Sequence, residues 1–227
     1  NINYIKEAIY SAKSLRKVDP EAKICLFTDK EIDNELDNNI FNEIKIVDMS
    51  LRCKQKYLKD SPYDRTIYLD SDTYVNHNVN DIFKILDKYE IVGCNDYSRK
   101  RVFEKIPEYM EIPYSFSEIN GGIIAYRKSK VLLNFLDLWD IFYKKYEKVT
   151  IWDQPSLRIA LWRSKVKLYI LPNEYNRRSK RTKEKCIKLR ENRDKRFDND
   201  QLKTRIFHFH GLKKMKKDEK EINAQYF

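Results

Sequence analysis

The alternation of helix and strand patterns over the first two-thirds of the chain is the feature that most constrains its fold. Ile2, Ile5 and Ile9 recur at helical spacing and predict an amphipathic helix that ends near Lys17. Apolar runs predict strands at 24–27, 44–47, 66–69, 89–94, 119–126 and 166–171, and helical patterns lie at 51–59, 131–146 and 153–162. This order indicates an α/β fold with a mostly parallel central sheet flanked by helices.

The predicted order of elements begins with a helix, whereas folds of this class normally begin with a strand. We therefore expect a first strand upstream of Asn1. The length of 227 residues suits a single large domain. We expect a core over 1–172, a basic excursion over 173–205 and a C-terminal segment over 206–227.

The basic residues that give the chain its net charge of +11 are concentrated in its last third. Residues 1–150 carry 24 basic and 25 acidic side chains, whereas residues 151–227 carry 22 and 10. The stretch 174–205 alone holds 13 basic and 6 acidic residues. Two interpretations stay open for it: a solvated face, or a surface that binds an acidic, phosphate-bearing or acceptor molecule. Such a surface also allows peripheral association with a membrane.

Cysteine spacing and hydropathy restrict the class of protein. The four cysteines lie at least 28 residues apart, which excludes a Cys-x-x-Cys metal knuckle and a dense disulfide scaffold. This spacing suits a reducing compartment, so we expect a cytoplasmic protein. No apolar run approaches the roughly 18 residues of a membrane span, and no signal-peptide pattern is present.

The strongest local motif is an Asp-x-Asp at the end of a predicted strand. The apolar run that ends at Leu69 leads directly into Asp70 and Asp72. If the chain turns after Asp70, both carboxylates reach toward one point, where they repel each other unless a cation or a proton intervenes. Hard oxygen ligands suit Mg²⁺ or Mn²⁺. Substrate phosphates and water commonly complete the coordination shell of such an ion. Surface turns also contain this motif, so the preceding strand is what favours a metal site.

One enzyme class with this arrangement is the haloacid-dehalogenase-like phosphatases, in which Asp70 would be the nucleophile and Asp72 the general acid. Their motif requires Thr or Val where this chain has Tyr74. It also normally lies in the first strand, and their later Gly-Asp motif is absent here. These departures disfavour a phosphatase.

The second class is the GT-A glycosyltransferases, and the chain resembles their family 8, the glycogenin and lipopolysaccharide galactosyltransferase type. The resemblance spans most of the chain and is most specific between Lys54 and Thr73. The matching segments are Tyr4–Ala8, Ser14–Arg16, Leu26–Asp29, Lys54-x-x-x-Leu58, Ser61–Arg65 and Tyr68–Thr73.

The resemblance implies a role for each matching residue. His208 opens a His-x-x-Gly-x-x-Lys motif, although Met215-Lys216 replaces the Pro-Trp that often follows it, so Lys213 is an alternative to Lys214 as the diphosphate ligand. The implied metal ligands are Asp70, Asp72 and His208. The implied donor-binding residues are Lys54, Asp70, Ser71, Asp72, Asp96, Gly121, Gly122, Gly211 and Lys214, and the implied catalytic residues are Asn120, Asp153 and Gln154.

Some of these residues also have structural interpretations. Asn120 and the two glycines after it are typical of a β-bulge. Asp153 precedes a helical pattern and is a candidate N-cap, a role that is compatible with catalysis. A histidine pair at a strand end, such as His208 and His210, is also common as a purely structural feature.

The resemblance implies Mn²⁺- or Mg²⁺-dependent transfer of a sugar from a nucleotide-sugar donor, with UDP-sugar expected. The acceptor would be a hydroxyl of a glycan, a lipid-linked glycan or a protein, and the anomeric configuration would be retained. The alternative of a basic nucleic-acid-binding module rests on the charge of residues 151–227. The chain lacks a nucleic-acid motif and an interleaving of aromatic and basic residues, so no nucleic-acid partner is expected.

Overall fold

A computed structural model describes residues 2–32, 40–48, 54–96, 103–178 and 204–209. The chain divides into two compact units, each considered by itself below. The first is built from Asn1–Val47, Asp70–Val79 and Pro172–Phe227, and the second from Asp48–Leu69 and Asn80–Leu171. The assignment of 1–227 to one catalytic domain stays a prediction.

Helices and strands alternate as the sequence predicts. The α-helices are α1 (Ile2–Val18), α2 (Lys54–Tyr57), α3 (Ile82–Ile85), α4 (Pro107–Met110), α5 (Lys130–Tyr146) and α6 (Gln154–Arg163). The strands are β1 (Cys25–Thr28), β2 (Glu43–Ile46), β3 (Arg65–Leu69), β4 (Thr73–Val75), β5 (Ile91–Asn95), β6 (Ile119–Arg127), β7 (Leu168–Leu171) and β8 (Ile206–His208). Short 3₁₀ helices occupy Leu58–Asp60 and Asn173–Tyr175.

The second unit contains a four-stranded sheet in the order β3-β6-β5-β7. β6 runs antiparallel to β3 and to β5, and β5 runs parallel to β7, so β3, β5 and β7 share one direction. The predicted α/β fold with a central sheet flanked by helices is therefore confirmed, but this sheet is mixed rather than mostly parallel, because two of its three strand pairs are antiparallel. Because β6 is reversed, its first residues lie at the same edge as the carboxyl end of β5, where Cys94 pairs with Asn120.

Helices α5 and α6 cover this sheet because their apolar side chains are buried against it. The core of the second unit includes Phe135 and Trp139 of α5 and Leu157 of α6, together with Ile124 and Tyr126 of β6. The Ser129 side chain caps α5 by accepting a hydrogen bond from the amide of Leu132. The wholly buried Trp139 extends this core to the start of α6, since its indole Nε1 donates to the carbonyl of Asp153 at 3.3 Å.

Among its described residues, the first unit contains two pairs of strands. β1 and β2 are parallel, and β4 and β8 are antiparallel. Tyr74 of β4, Phe207 of β8 and Phe209 form a small aromatic cluster against which Tyr10 of α1 packs. Across the described ranges, none of the helices has the length and apolar character needed to cross a membrane.

Candidate functional site

Asp70, Asp72 and His208 converge in the first unit. A turn follows Asp70, whose carbonyl accepts hydrogen bonds from the amide and the hydroxyl of Thr73 at 3.2 and 2.9 Å. β4 then pairs with β8 so that Thr73 lies opposite His208, and the amide of Phe209 donates to the Asp72 carbonyl at 2.8 Å. The turn and the strand pairing thus bring one histidine to two aspartates that are distant from it in sequence.

The geometry of this trio fits a divalent cation. His208 Nε2 lies 3.7 Å from Asp70 Oδ2 and 3.2 Å from Asp72 Oδ1. One potential ligand atom from each residue lies within 4.8 Å of the other two. His208 is buried, whereas both aspartates are partly exposed. Two carboxylates and an imidazole suit Mn²⁺ well, and partial exposure leaves coordination positions for water or a phosphate oxygen.

Helix α1 holds the Asp-x-Asp turn through a row of polar side chains. Glu7, Ser11 and Ser14 lie on one helical face and are all buried. The Ser71 hydroxyl donates to Glu7 Oε2 at 3.2 Å, and the Val75 amide donates to Ser14 Oγ at 2.8 Å. The hydroxyls of Ser11 and Thr73 are 2.9 Å apart. We call Glu7, Ser11 and Ser14 the α1 polar row.

This polar row orients the turn through hydrogen bonds of defined direction. Thr73 uses its only hydroxyl hydrogen on the Asp70 carbonyl, so Ser11 must be the donor to Thr73. Ser14 donates to the Ser11 carbonyl at 2.6 Å while accepting from Val75. The isoleucines of α1 predict the helix, whereas the polar row has helical spacing but matches no motif that would predict its contacts.

A second cluster in the second unit is built around Lys54 and Asp153. Lys54 Nζ lies 3.2 Å from Asp153 Oδ2 and donates to the Gly121 carbonyl at 2.7 Å. It also lies over the Tyr68 ring, 5.3 Å from its centroid. A Cβ at Gly121 would lie 3.3 Å from Lys54 Nζ, so the glycine permits the close approach of this ammonium group.

Amide and carboxylate side chains extend this cluster. Asp96 Oδ2 accepts hydrogen bonds from Gln154 Nε2 at 2.7 Å and from Asn120 Nδ2 at 3.3 Å. Asn120 Oδ1 in turn accepts from the amide of Gly122 at 3.1 Å. Because both amide groups donate to the same carboxylate oxygen, the two side chains are held in one orientation. Six of the predicted residues therefore lie together: Lys54, Asp96, Asn120, Gly121, Asp153 and Gln154.

The contacts of Asp153 and Asn120 bear on their structural interpretations. Asp153 occupies the predicted N-cap position of α6, but its side chain makes no capping hydrogen bond and lies against Lys54 instead. The bulge interpretation of Asn120 is correct as geometry, because the pairing of β5 with β6 shifts register between Gly93 and Cys94. At this irregularity the Asn120 side chain reaches Asp96.

Ser71 makes a hydrogen bond to α1, and the predicted residues that follow His208 in the C-terminal motif lie outside the described ranges. The Ser71 hydroxyl is directed to Glu7. Gly211, Lys214 and its alternative Lys213 lie outside the described residues. Asn176, which contacts His208 Nδ1 through its Oδ1 at 3.2 Å, was not predicted. Its only sequence signal is a position at the start of the basic stretch.

Comparison with known proteins identifies the fold. Neither a protein-family model nor a curated protein matches the sequence. Among solved structures, galactosyltransferase LgtC in complex with donor and acceptor sugar analogues is 13% identical and has a TM-score of 0.60, over 93% of this chain and 85% of its own. Mouse xyloside xylosyltransferase 1 is 12% identical with a TM-score of 0.56, over 91% of this chain and 92% of its own.

Glycosyltransferase GlyE from Streptococcus pneumoniae TIGR4 is 19% identical with a TM-score of 0.62. That match covers 93% of this chain and 52% of GlyE, so the chain spans about half the length of this neighbour. These identities are too low to carry substrates or residue roles across, but the agreement extends over nearly the whole chain. The chain therefore has the fold of the GT-A glycosyltransferases, as its resemblance to family 8 predicted.

Proposed function

We propose that this protein is a metal-dependent glycosyltransferase that moves a sugar from a UDP-sugar to a hydroxyl acceptor. The observation that carries the proposal is the convergence of Asp70, Asp72 and His208 on one point, in a chain with the GT-A fold. Glycan, lipid-linked glycan and protein hydroxyls are the acceptor classes we consider.

The trio is assigned to the diphosphate part of the donor. A bound Mn²⁺ or Mg²⁺ supplies Lewis-acid stabilisation of the negative charge that grows on the leaving diphosphate. Asp70 and Asp72 contribute the negative charge that attracts such an ion, and His208 contributes a nitrogen ligand from a buried position. Lys214, or Lys213 in its place, is proposed to add a second positive charge for the diphosphate.

The second cluster is assigned to the sugar part of the donor. Asn120 and Gln154 both donate hydrogen bonds to Asp96, so these three side chains are held in a fixed arrangement of the polar groups that recognise sugar hydroxyls. The ammonium of Lys54 compensates the carboxylate of Asp153.

We propose transfer with retention, by front-face attack of the acceptor hydroxyl on the anomeric carbon. This choice rests on the resemblance to family 8, which implies retention, and on the sequence, in which no side chain identifies itself as a covalent nucleophile. The acceptor proton passes to the departing diphosphate, and Asp153 with Gln154 stabilises positive charge at the reacting carbon.

The test is a screen of UDP-sugars, and then of other nucleotide-sugars, for slow hydrolysis in Mn²⁺ or Mg²⁺. We expect release of UDP from at least one donor, lost on chelation and lowered about 100-fold or more in Asp72→Asn. Asp137→Asn is a matched control because its carboxylate is a surface group that pairs with Lys59, and it should retain full activity.

The outcome that would overturn the proposal is the absence of both donor turnover and metal-dependent UDP binding. Hydrolysis of simple phosphate esters without any nucleotide would instead support the phosphatase alternative. Stereochemistry is tested separately, by NMR of the sugar released at early times. The opposite anomer of that in the donor would contradict retention while leaving the transferase itself intact.

A further inference from the structure

Asn176 lies directly behind the ring of His208. The side chain is buried with 2% exposure, and its Oδ1 lies 3.2 Å from His208 Nδ1. It follows the 3₁₀ helix Asn173–Tyr175 and contacts the ring nitrogen opposite to the one that faces the two aspartates. The imidazole is therefore contacted on both nitrogens, by an amide on one side and by carboxylates on the other.

The contact with Asn176 determines which ring nitrogen carries the proton. An amide oxygen can only accept a hydrogen bond, so Nδ1 must be the donor. In the neutral imidazole a proton on Nδ1 leaves a lone pair on Nε2. That lone pair points toward Asp70 and Asp72, whose carboxylate oxygens are also acceptors. Three acceptor groups that face one another repel unless a cation or a proton lies between them, and this set of ligands suits a divalent metal ion.

Backbone pairing keeps Asn176 at this position. The amide of Arg177 donates to the carbonyl of Ile206 at 2.9 Å, and the amide of His208 donates to the carbonyl of Arg177 at 2.9 Å. Arg177 thus forms a parallel β-bridge with Phe207. Arg177 directly follows Asn176, and Phe207 directly precedes His208. The segment that carries Asn176 is hydrogen-bonded to the strand that carries the histidine.

We propose that Asn176 is a positioning residue that holds His208 as the Nδ1–H tautomer and directs Nε2 toward the metal. Partners behind a ligating histidine commonly fix its tautomer and ring orientation, and their loss weakens metal binding 10- to 100-fold. The inference rests on the proposed metal site, but the tautomer can be measured without any metal.

The first experiment is ¹⁵N NMR of the histidine side chains in metal-free protein at mildly alkaline pH, with His208 assigned from a His208→Gln variant. We expect the proton on Nδ1 in the wild type and a mixture, or the Nε2–H form, in Asn176→Ala. Asn176→Asp keeps an acceptor and should restore the Nδ1–H form. An Nε2–H tautomer in the wild type would overturn the inference.

The second experiment titrates Mn²⁺ alone into each variant and follows free Mn²⁺ by EPR. Asn176→Ala should raise Kd about 10- to 100-fold, and Asn176→Asp should recover most of that loss. Asn173→Ala is the matched control, since this exposed asparagine lies on the same 3₁₀ helix. Unchanged affinity in Asn176→Ala, with a normal wild-type Kd, would contradict the positioning role.

The two readouts separate failure of the inference from failure of the proposed function. If the wild type shows the Nδ1–H tautomer but binds no Mn²⁺, the metal site is wrong and the effect of Asn176 on the tautomer stands. Should Asn176→Ala not fold, the wild-type spectrum and the Asn176→Asp variant decide the question by themselves.

Discussion

Lys54 and Asp153 form an ion pair that is almost fully removed from water. Their side chains are 9% and 7% exposed. Burial of two charges costs several kcal/mol per ion, and mutual attraction offsets this only with good geometry and further hydrogen bonds. Lys54 has such support from the Gly121 carbonyl and the Tyr68 ring. A buried ion pair of this kind contributes little net stability to the fold. Buried charged groups are typical of functional sites, where binding or catalysis requires the charges.

We predict that Lys54→Met lowers the free energy of unfolding by about 3–5 kcal/mol, because it removes the cation beside a buried carboxylate. The double variant Lys54→Met/Asp153→Leu should recover much of this loss, since both charges are then absent. Chemical denaturation of the single and double variants measures the coupling.

The surface pair of Lys59 with Asp137 is the matched control. These side chains are 45% and 57% exposed, so Lys59→Met should cost less than about 1 kcal/mol. Equal effects of the two lysine substitutions would show that the Lys54–Asp153 pair is not buried as the structure has it.

At the scale of elements, α1 packs against β4 through polar side chains as well as apolar ones. Ile9 and Ala12 are buried together with the polar row of Glu7, Ser11 and Ser14. Hydrogen bonds are directional, whereas apolar contacts tolerate sliding, so this row specifies the register of α1 against the chain that follows Asp70. The helix thereby positions the turn that carries Asp70 and Asp72, which lies outside the helix itself.

We predict that Ser14→Ala destabilises the protein by about 1–3 kcal/mol, because the Val75 amide loses its acceptor in a buried setting. The higher helix propensity of alanine offsets at most about 0.5 kcal/mol. Lys13→Ala, at an exposed position of the same helix, should change stability by less than about 0.5 kcal/mol. Thermal or urea denaturation that cannot distinguish the two variants would argue against the polar row.

Helices α4 and α5 are joined by Glu108, whose carboxylate accepts hydrogen bonds from Lys145 and Tyr146. These contacts, that of Lys145 first, lower the pKa of Glu108 from 4.5 to about 2. A lowered pKa means that the folded state favours the ionised form. The stabilisation is therefore complete above pH 4.5 and is lost as the pH falls toward about 2.

We predict that the stability advantage of the wild type over Glu108→Gln shrinks as the pH falls through that window. Thermal unfolding at a series of pH values measures this difference. Lys145→Met should also weaken the pH dependence, because it removes the first cause of the shift. A constant difference between wild type and Glu108→Gln across the window would contradict the assignment.

For the whole molecule, the proposed function links ligand binding to stability. A ligand that binds only the folded state stabilises it by about 2.7 kcal/mol at about 100 times its Kd. We predict that Mn²⁺ with UDP raises the unfolding temperature by several degrees, that a chelator reverses the shift, and that Asp72→Asn removes it. Differential scanning fluorimetry measures all three.

The basic charge of the last third of the chain is the basis for the competing hypothesis, a nucleic-acid-binding module. A basic nucleic-acid-binding module would be stabilised by RNA instead, with an affinity that falls steeply with salt concentration. Stabilisation by RNA and none by Mn²⁺ with UDP would favour that alternative. The excess of basic residues in 151–227 makes this comparison necessary, because charge alone does not distinguish a polyanion from a diphosphate.

Much of the fold could be predicted because its signals are local. Apolar periodicity located α1, β3, β5 and β6 close to their observed bounds. The Asp-x-Asp motif was recognisable because an apolar strand leads directly into it, and the turn that joins its carboxylates has the expected form. The reversed direction of β6 was not predictable, since a strand pattern contains no information about direction.

Local patterns in the sequence were enough to predict the class of fold, the order of most elements and the residue types at strand ends. Which of those residues come into contact is seen only in the folded chain. His208 reaches Asp72 because β8 pairs with β4, and the Asp153 side chain lies against Lys54 and makes no capping hydrogen bond to its own helix. Asn176 acquires a role only through its position behind His208. The physical reason is that periodicity reflects which face of an element is buried, whereas contacts between distant residues depend on how strands pair and helices pack.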